Sequence, residues 1–403
     1  MKKTFTALAI AAAFVPLGAR AQTTDQKIEA LQQEIDRLKA DVSRMRSDPN
    51  AASGRRLGEG ATSIFGYGEF NYNRFRDSER TTRADLRRFV IGFGHSFNDR
   101  LSFNSELELE HAVVSHDDEG EVEMEQAYVN YQFSDALNVK GGLFLIPLGI
   151  LNLTHEPPTY YGVERNEVET RIIPTTWREL GLGVHGLLGN GLKYDVGLTT
   201  GFNSGKLDDP NTGIRSGHQE GQLADAKDLS VYGALNYQRP GLLLGGGVFT
   251  GDTGQNGQAS AALKGVAAKL TLWDVHAKYS VAGWDLQALY AAGRLGDADK
   301  LNAVTGTFAA PKSLKGWYGQ AAYHIYRRGD FDIAPFVRLE RFEIRQQEDA
   351  ALGLLQDPNN LERVRTIGVN FYLHPQVVVK ADIQRYNVDH TKDRLNLGLG
   401  YMF

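Results

Sequence analysis

From residue 62 onward the hydrophobic pattern has a period of two. In Leu101–Val113, Leu101, Phe103, Leu107, Leu109 and Val113 share one face. Ser102, Asn104, Glu106, Glu108 and Glu110 share the other, the signature of a half-buried strand. Read this way, strands lie near 63–75, 85–97, 100–113, 122–133, 137–145, 179–188, 191–203 and 229–238. Eight more lie near 241–250, 264–279, 283–293, 313–327, 330–345, 362–373, 376–387 and 393–403. The connections alternate without exception between tight pairs or triplets, such as Asn98-Asp99, Gly189-Asn190 and His374-Pro375, and long segments. One end with tight turns and the other with wide loops is how a transmembrane barrel is built, and the count of sixteen is even. The expected fold is therefore all-β, a sixteen-stranded antiparallel transmembrane barrel whose lumen holds water. The last segment, RLNLGLGYMF, closes on an aromatic residue with Leu395, Leu397, Leu399, Tyr401 and Phe403 on one face.

Composition agrees with export to a membrane. Lys2 and Lys3, the apolar run Thr6–Leu17 and Ala19-Arg20-Ala21 form a cleavable signal over residues 1–21. Removing its three basic residues leaves 41 Lys+Arg against 49 Asp+Glu, net −8. That balance argues against a nucleic-acid partner. The absence of cysteine removes disulfides, thiolate catalysis and Cys-based zinc sites together. The 44 glycines, about 11% of the chain, exceed the usual ~7%.

Residues 22–46 are a different material. Ile28, Leu31, Ile35, Leu38, Val42 and Met45 are spaced 3, 4, 3, 4, 3. This heptad seam predicts a short α-helical coiled coil in the periplasm or, alternatively, a solvated helical spacer. Its Ile/Val–Leu alternation favours two strands. Residues 47–61 read as a linker before the barrel at 62–403.

The stretch 146–178, about 33 residues, is far longer than an ordinary connection of ~4–6. Pro147, Pro157, Pro158 and Pro174 forbid a continuous helix or central strand. Tyr160, Tyr161, Ile172, Ile173 and Trp177 give it apolar surface to pack, while charges of both signs run through it. The run GLFLIPLGILNLTHEPPTYYGVERNEVETRIIPTTWRELG, Gly142–Gly181, resembles the phosphate-selective porin O and P family. The signal, helix and barrel match that family's layout. The resemblance implies a homotrimeric outer-membrane anion channel with this third external loop folded inward. The family's G-x-F-K-x-P-F segment carries a lysine where Leu145 stands here, so its phosphate-trapping role does not transfer.

Charged residues facing the lumen would set selectivity. Alternation turns Arg88, Lys140, Arg338 and Lys380 inward, which attracts anions, and Glu106, Glu108 and Glu110 inward, which attracts cations. On the loop, Arg165, Arg171 and Arg178 oppose Glu156, Glu164, Glu167 and Glu169. The competing expectation is that opposite charges pair and brace the loop. The acidic tip Ser115–Glu123 either bridges to lipopolysaccharide through divalent cations or is merely solvated.

Catalytic and cofactor signals fail on context. Gly181–Gly186 matches G-x-G-x-x-G only by letters, inside a strand pattern, and His155-Glu156 has no second histidine four residues on. No cofactor, metal or catalytic residue is expected. The reading is a passive porin in the outer membrane, in contact with its lipid and lipopolysaccharide. Its solutes would be small and anionic, phosphate or organic acids. A barrel enzyme and an adhesive barrel tethered through the helix are the alternatives.

Overall fold

The computed structural model describes residues 60–403 apart from 210, 259–260, 307–308 and 347–360. The expected signal, coiled coil and most of the linker lie outside the described residues. Eight strands are β1 (Thr62–Phe75), β2 (Arg83–Ser96), β3 (Leu101–Glu110), β4 (Val122–Ser134), β5 (Leu137–Leu145), β6 (Arg178–Leu187), β7 (Leu192–Thr200) and β8 (Leu229–Arg239). The others begin with β9 (Leu242–Gly251), β10 (Leu270–Val281), β11 (Trp284–Leu295) and β12 (Ser313–Tyr323, resumed at Tyr326–Arg328). They end with β13 (Phe331–Gln346), β14 (Leu361–His374), β15 (Val377–Tyr386) and β16 (Arg394–Met402). Each pairs antiparallel with its sequence neighbours. β1 also pairs with β16, from Tyr67↔Met402 to Phe75↔Arg394, so no edge is left open. The terminal residue takes part in the seam: Gly66 N donates to Phe403 O at 3.1 Å, and Phe403 N donates to Gly66 O at 2.9 Å.

Local chemistry explains the turns. Between β10 and β11, Ala282 and Gly283 both hold positive φ (48° and 85°), the two-residue geometry that matches the twist of a hairpin. Strand ends differ from the alternation in two informative places. β3 stops at Glu110 because His111 and Ala112 turn left-handed (φ 58° and 62°), which puts Val113 in the loop rather than on the strand face. β10 begins at Leu270 rather than near 264, because Leu263 closes a 3-10 turn and Gly265 and Ala268 hold positive φ.

The outer face is apolar, with Leu182 66% and Ile367 65% exposed. Around the tight-turn end, Phe97, Phe133, Tyr279, Trp284, Tyr323 and Phe403 make an exposed aromatic belt, as expected where lipid meets water. The interior departs from a uniformly wet lumen. Inward-facing Phe249, Leu270, Leu272, Leu289, Ala291 and Leu314 of β9–β12 form one apolar cluster with Ile146, Leu148, Ile172, Ile173 and Trp177 of the long loop. The loop needs a surface on which to bury its apolar residues, and this quarter of the wall supplies it. Gly247 permits the approach: a Cβ there would lie 3.2 Å from Leu148 and from the carbonyl of Pro147.

Trp177 is fully buried at the end of the loop. Its ring meets Phe249 at 4.5 Å and Phe202 at 5.2 Å between centroids, both edge-on. Trp177→Ala should cost about 3–5 kcal/mol, read as an earlier urea midpoint for the refolded barrel. An unchanged midpoint would refute the packing described.

Candidate functional site: the loop-filled lumen

Residues 146–177 leave β5, enter the barrel and return to β6 at Arg178. Asn152 ties the two limbs together at the root. Its Nδ2 donates to Ile146 O (2.7 Å) and Trp177 O (2.8 Å), and its Oδ1 accepts from Trp177 N at 2.6 Å. Near the middle, Glu169 is wholly buried and its carboxylate collects four donors. Oε1 accepts from the backbone of Ile150 (2.5 Å) and Leu151 (2.7 Å). Oε2 accepts from Asn166 Nδ2 (2.9 Å) and from the Tyr318 hydroxyl of β12 (2.7 Å). One carboxylate therefore joins the descending limb, the ascending limb and the wall.

The loop then reaches the far wall, where side chains of β13–β15 take hold of its backbone. Arg338 donates to Tyr161 O (3.1 Å) and Glu164 O (3.2 Å), and Lys380 donates to Gly162 O (2.8 Å). Asp382 accepts from Val163 N (2.7 Å), and Glu340 from Glu167 N (2.6 Å). Gly162 needs its positive φ of 85° to present this carbonyl. The Lys380 ammonium also sits 3.6 Å from the centre of the Tyr160 ring. Glu167 pairs with Arg171 and accepts from the Tyr386 hydroxyl at 2.5 Å. Burial works against the Glu167 charge, but Arg171 and Tyr386 outweigh it and hold the carboxyl below its usual range.

The inward-facing charges expected from the sequence are accounted for as follows. Arg88 is buried among Glu69 (2.8 Å), Glu108 (3.1 Å) and Glu110 (3.5 Å). Glu106 accepts from Gln126 at 2.8 Å. Lys140 is fully buried, bonded to Asp195 at 2.6 Å and 4.4 Å from the Phe144 ring centre. Arg338 pairs with Glu340 at 2.9 Å as well as holding the loop. Arg178 pairs with Glu123 and, at 3.0 Å, with Glu220. At the acidic tip, Glu119 lies 3.5 Å from Arg83. Half-exposed positions on the loop are Glu156, Glu164, Arg165 and Arg171. Glu164 accepts from Asn73 at 2.8 Å, and Arg171 donates to Asn211 O at 3.0 Å in the covering loop. Arg165 differs from all of these. Its Nη1 reaches Thr176 at 3.3 Å, but Nε and Nη2 have no partner among the described residues.

Sequence spacing could not reveal one further grouping. Glu106, Glu125 and His155 come from two strands and the loop, yet their ligand atoms lie within 4.8 Å of one another. His155 Nδ1 faces Asn152 O at 3.2 Å, which assigns the proton to that nitrogen. Nε2 points to Glu125 at 3.7 Å and has no hydrogen bond. Burial disfavours charge on His155, but Glu125 prevails and raises its pKa. Two carboxylates and an imidazole could hold a divalent metal. Glu125 occupies a bulge in β4 opposite the Glu106/Leu107 step, and its signal is lost in any strict period of two.

Glu169→Ala would strand the Ile150 and Leu151 amides and the Tyr318 hydroxyl without their acceptor. The cost should be about 3 kcal/mol or more, and single-channel current should become larger and noisier as the loop detaches. Glu169→Gln, which keeps an acceptor oxygen, should be milder. Unchanged conductance in the alanine variant would contradict this assignment.

Comparison with known proteins agrees with this architecture. A protein of Aquifex aeolicus (strain VF5), described only as uncharacterized, is 32% identical over 355 residues, covering 82% of this chain and 77% of that protein. The OmpF porin of Salmonella typhi, solved in complex with daunomycin, superposes with a TM-score of 0.59 at 15% identity, covering 85% of this chain and 98% of that one. An anion-selective porin from Comamonas acidovorans gives 0.52 at 10% identity, covering 86% and 100%. These structures share the fold. The model of the family described as phosphate-selective porin O and P matches residues 60–403, and the chain belongs to that family of outer-membrane porins.

Proposed function

We propose that this porin passes small anions by passive diffusion, with Arg165 as the residue that meets them. The observation that carries this reading is the pair of unpartnered donors on Arg165, on the segment that narrows the barrel. These two nitrogens carry three N–H groups, buried without a partner within a half-exposed side chain, and a phosphate or carboxylate oxygen that entered the passage would satisfy them. The other candidate cations are committed elsewhere: Arg88, Lys140, Arg171, Arg178, Arg338 and Lys380 all hold carboxylates or backbone carbonyls.

Leu145, in place of the family's lysine, is buried and apolar. The preference is therefore weak and broad, covering inorganic phosphate and small organic acids without trapping any of them. The same proposal includes a homotrimer, together with a cleaved signal over 1–21 and a periplasmic helix over 22–46, the last two supported by the basic-then-apolar start and the heptad seam of the sequence.

Reversal potential in asymmetric KCl tests the reading. Wild type should be mildly anion-selective. Arg165→Ala should lower the anion-to-cation permeability ratio by about fivefold, the effect of roughly 1 kcal/mol from one charge at close range. A cation-selective wild type, or a variant indistinguishable from it, would refute the role of Arg165.

A further inference from the structure

The outer wall carries a feature that a diffusion pore does not use. On β13–β15, just above the lipid-facing residues at the wide-loop end, Arg341, Arg363, Arg365 and Arg385 are all exposed. The register makes them neighbours. Arg341 stands across from Arg363, Arg365 is two residues along the same strand, and Arg385 stands across from Arg365. With strands ~4.8 Å apart and side chains on one face ~7 Å apart along a strand, four guanidinium stems spring from one patch. Exposed Arg74 on β1 and Arg294 on β11 extend it to either side.

Like charges at facing positions repel, so such a patch needs counter-charge. Among the described residues, no carboxylate pairs with Arg341, Arg363 or Arg365, and only Arg385 reaches one, Asp393 at 3.1 Å. Directly below on the same strands, Leu339, Ile367 and Ile383 are 52%, 65% and 47% exposed to what surrounds the barrel. A ligand with acyl chains for this apolar belt and anionic groups for the arginines immediately above it fits both features. On the opposite arc, the corresponding rim positions are the exposed apolar residues Val122, Leu180 and Leu229. Basic side chains are thus gathered on the β11–β1 side of the rim.

We infer that Arg341, Arg363 and Arg365, with Arg385 beside them, bind the phosphate groups of a phosphorylated glycolipid of the outer leaflet. This rests on the placement of the barrel in the outer membrane, and it assigns a lipid site outside the pore. Bidentate guanidinium–phosphate contacts supply the recognition.

The test uses the refolded full-length barrel and diphosphorylated lipid A, with dephosphorylated lipid A as the second arm, and reads retained lipid by native mass spectrometry. Wild type should hold the phosphorylated lipid and release the dephosphorylated one. The triple variant Arg341→Gln/Arg363→Gln/Arg365→Gln should bind about a hundredfold more weakly, about fivefold per charge removed. Its single-channel conductance should stay that of wild type, because these side chains face away from the lumen; this also reports that the variant is folded. Equal retention by the variant, or equal retention of dephosphorylated lipid, would overturn the lipid site. Loss of the native oligomer in the variant would overturn it too, assigning the row to a contact between copies. A porin reading that failed would show instead as absent conductance in wild type.

Discussion

The buried carboxylate of Glu169 is the interaction on which the interior depends. A charged group with no contact with water is costly unless its lone pairs are filled. Here four donors from the loop and β12 fill them. Because two of those donors are backbone amides of the opposite limb, the loop closes on itself before it meets the wall. Asn152 does the same at the root with both limbs. The segment therefore behaves as a small folded unit, apolar towards β9–β12 and polar towards β13–β15.

This arrangement changes what the lumen charges mean. Arg338 and Lys380 serve loop carbonyls, and Arg88 is enclosed by three carboxylates. Removing one partner from such a pair leaves a buried charge uncompensated, which is far more damaging than losing an exposed ion pair. Most of the ionic groups thus fix the shape of the passage, and few remain to act on a solute. Leu145, buried and apolar, adds to the packed root of the loop and brings no charge to it.

Much of this was legible in the sequence. Period-two alternation, tight turns such as Asn98-Asp99 and one loop too long and too apolar to be a spacer point to the barrel and its inward segment. The positions where alternation failed have local causes. Left-handed residues His111 and Ala112 end β3 early, and the bulge at Glu125 brings an extra carboxylate inward. The fate of individual charges was not legible. Alternation tells which way Arg88 or Lys140 points, but not which carboxylate of another strand it will be buried against. The unpartnered donors of Arg165 and the Glu106–Glu125–His155 grouping depend on contacts across the barrel, and no spacing along the chain encodes those.

The seating of the loop against the far wall can be measured directly, because the chain has no cysteine to interfere. A Cβ built at Gly398 lies 3.1 Å from a methyl carbon of Val163 at the loop's far reach. That spacing suits a disulfide. Val163→Cys/Gly398→Cys should oxidise to completion in the folded barrel and leave single-channel conductance at the wild-type value. A pair that stays reduced in folded protein, or a conductance that falls when the bond forms, would show that the segment spends its time away from the wall.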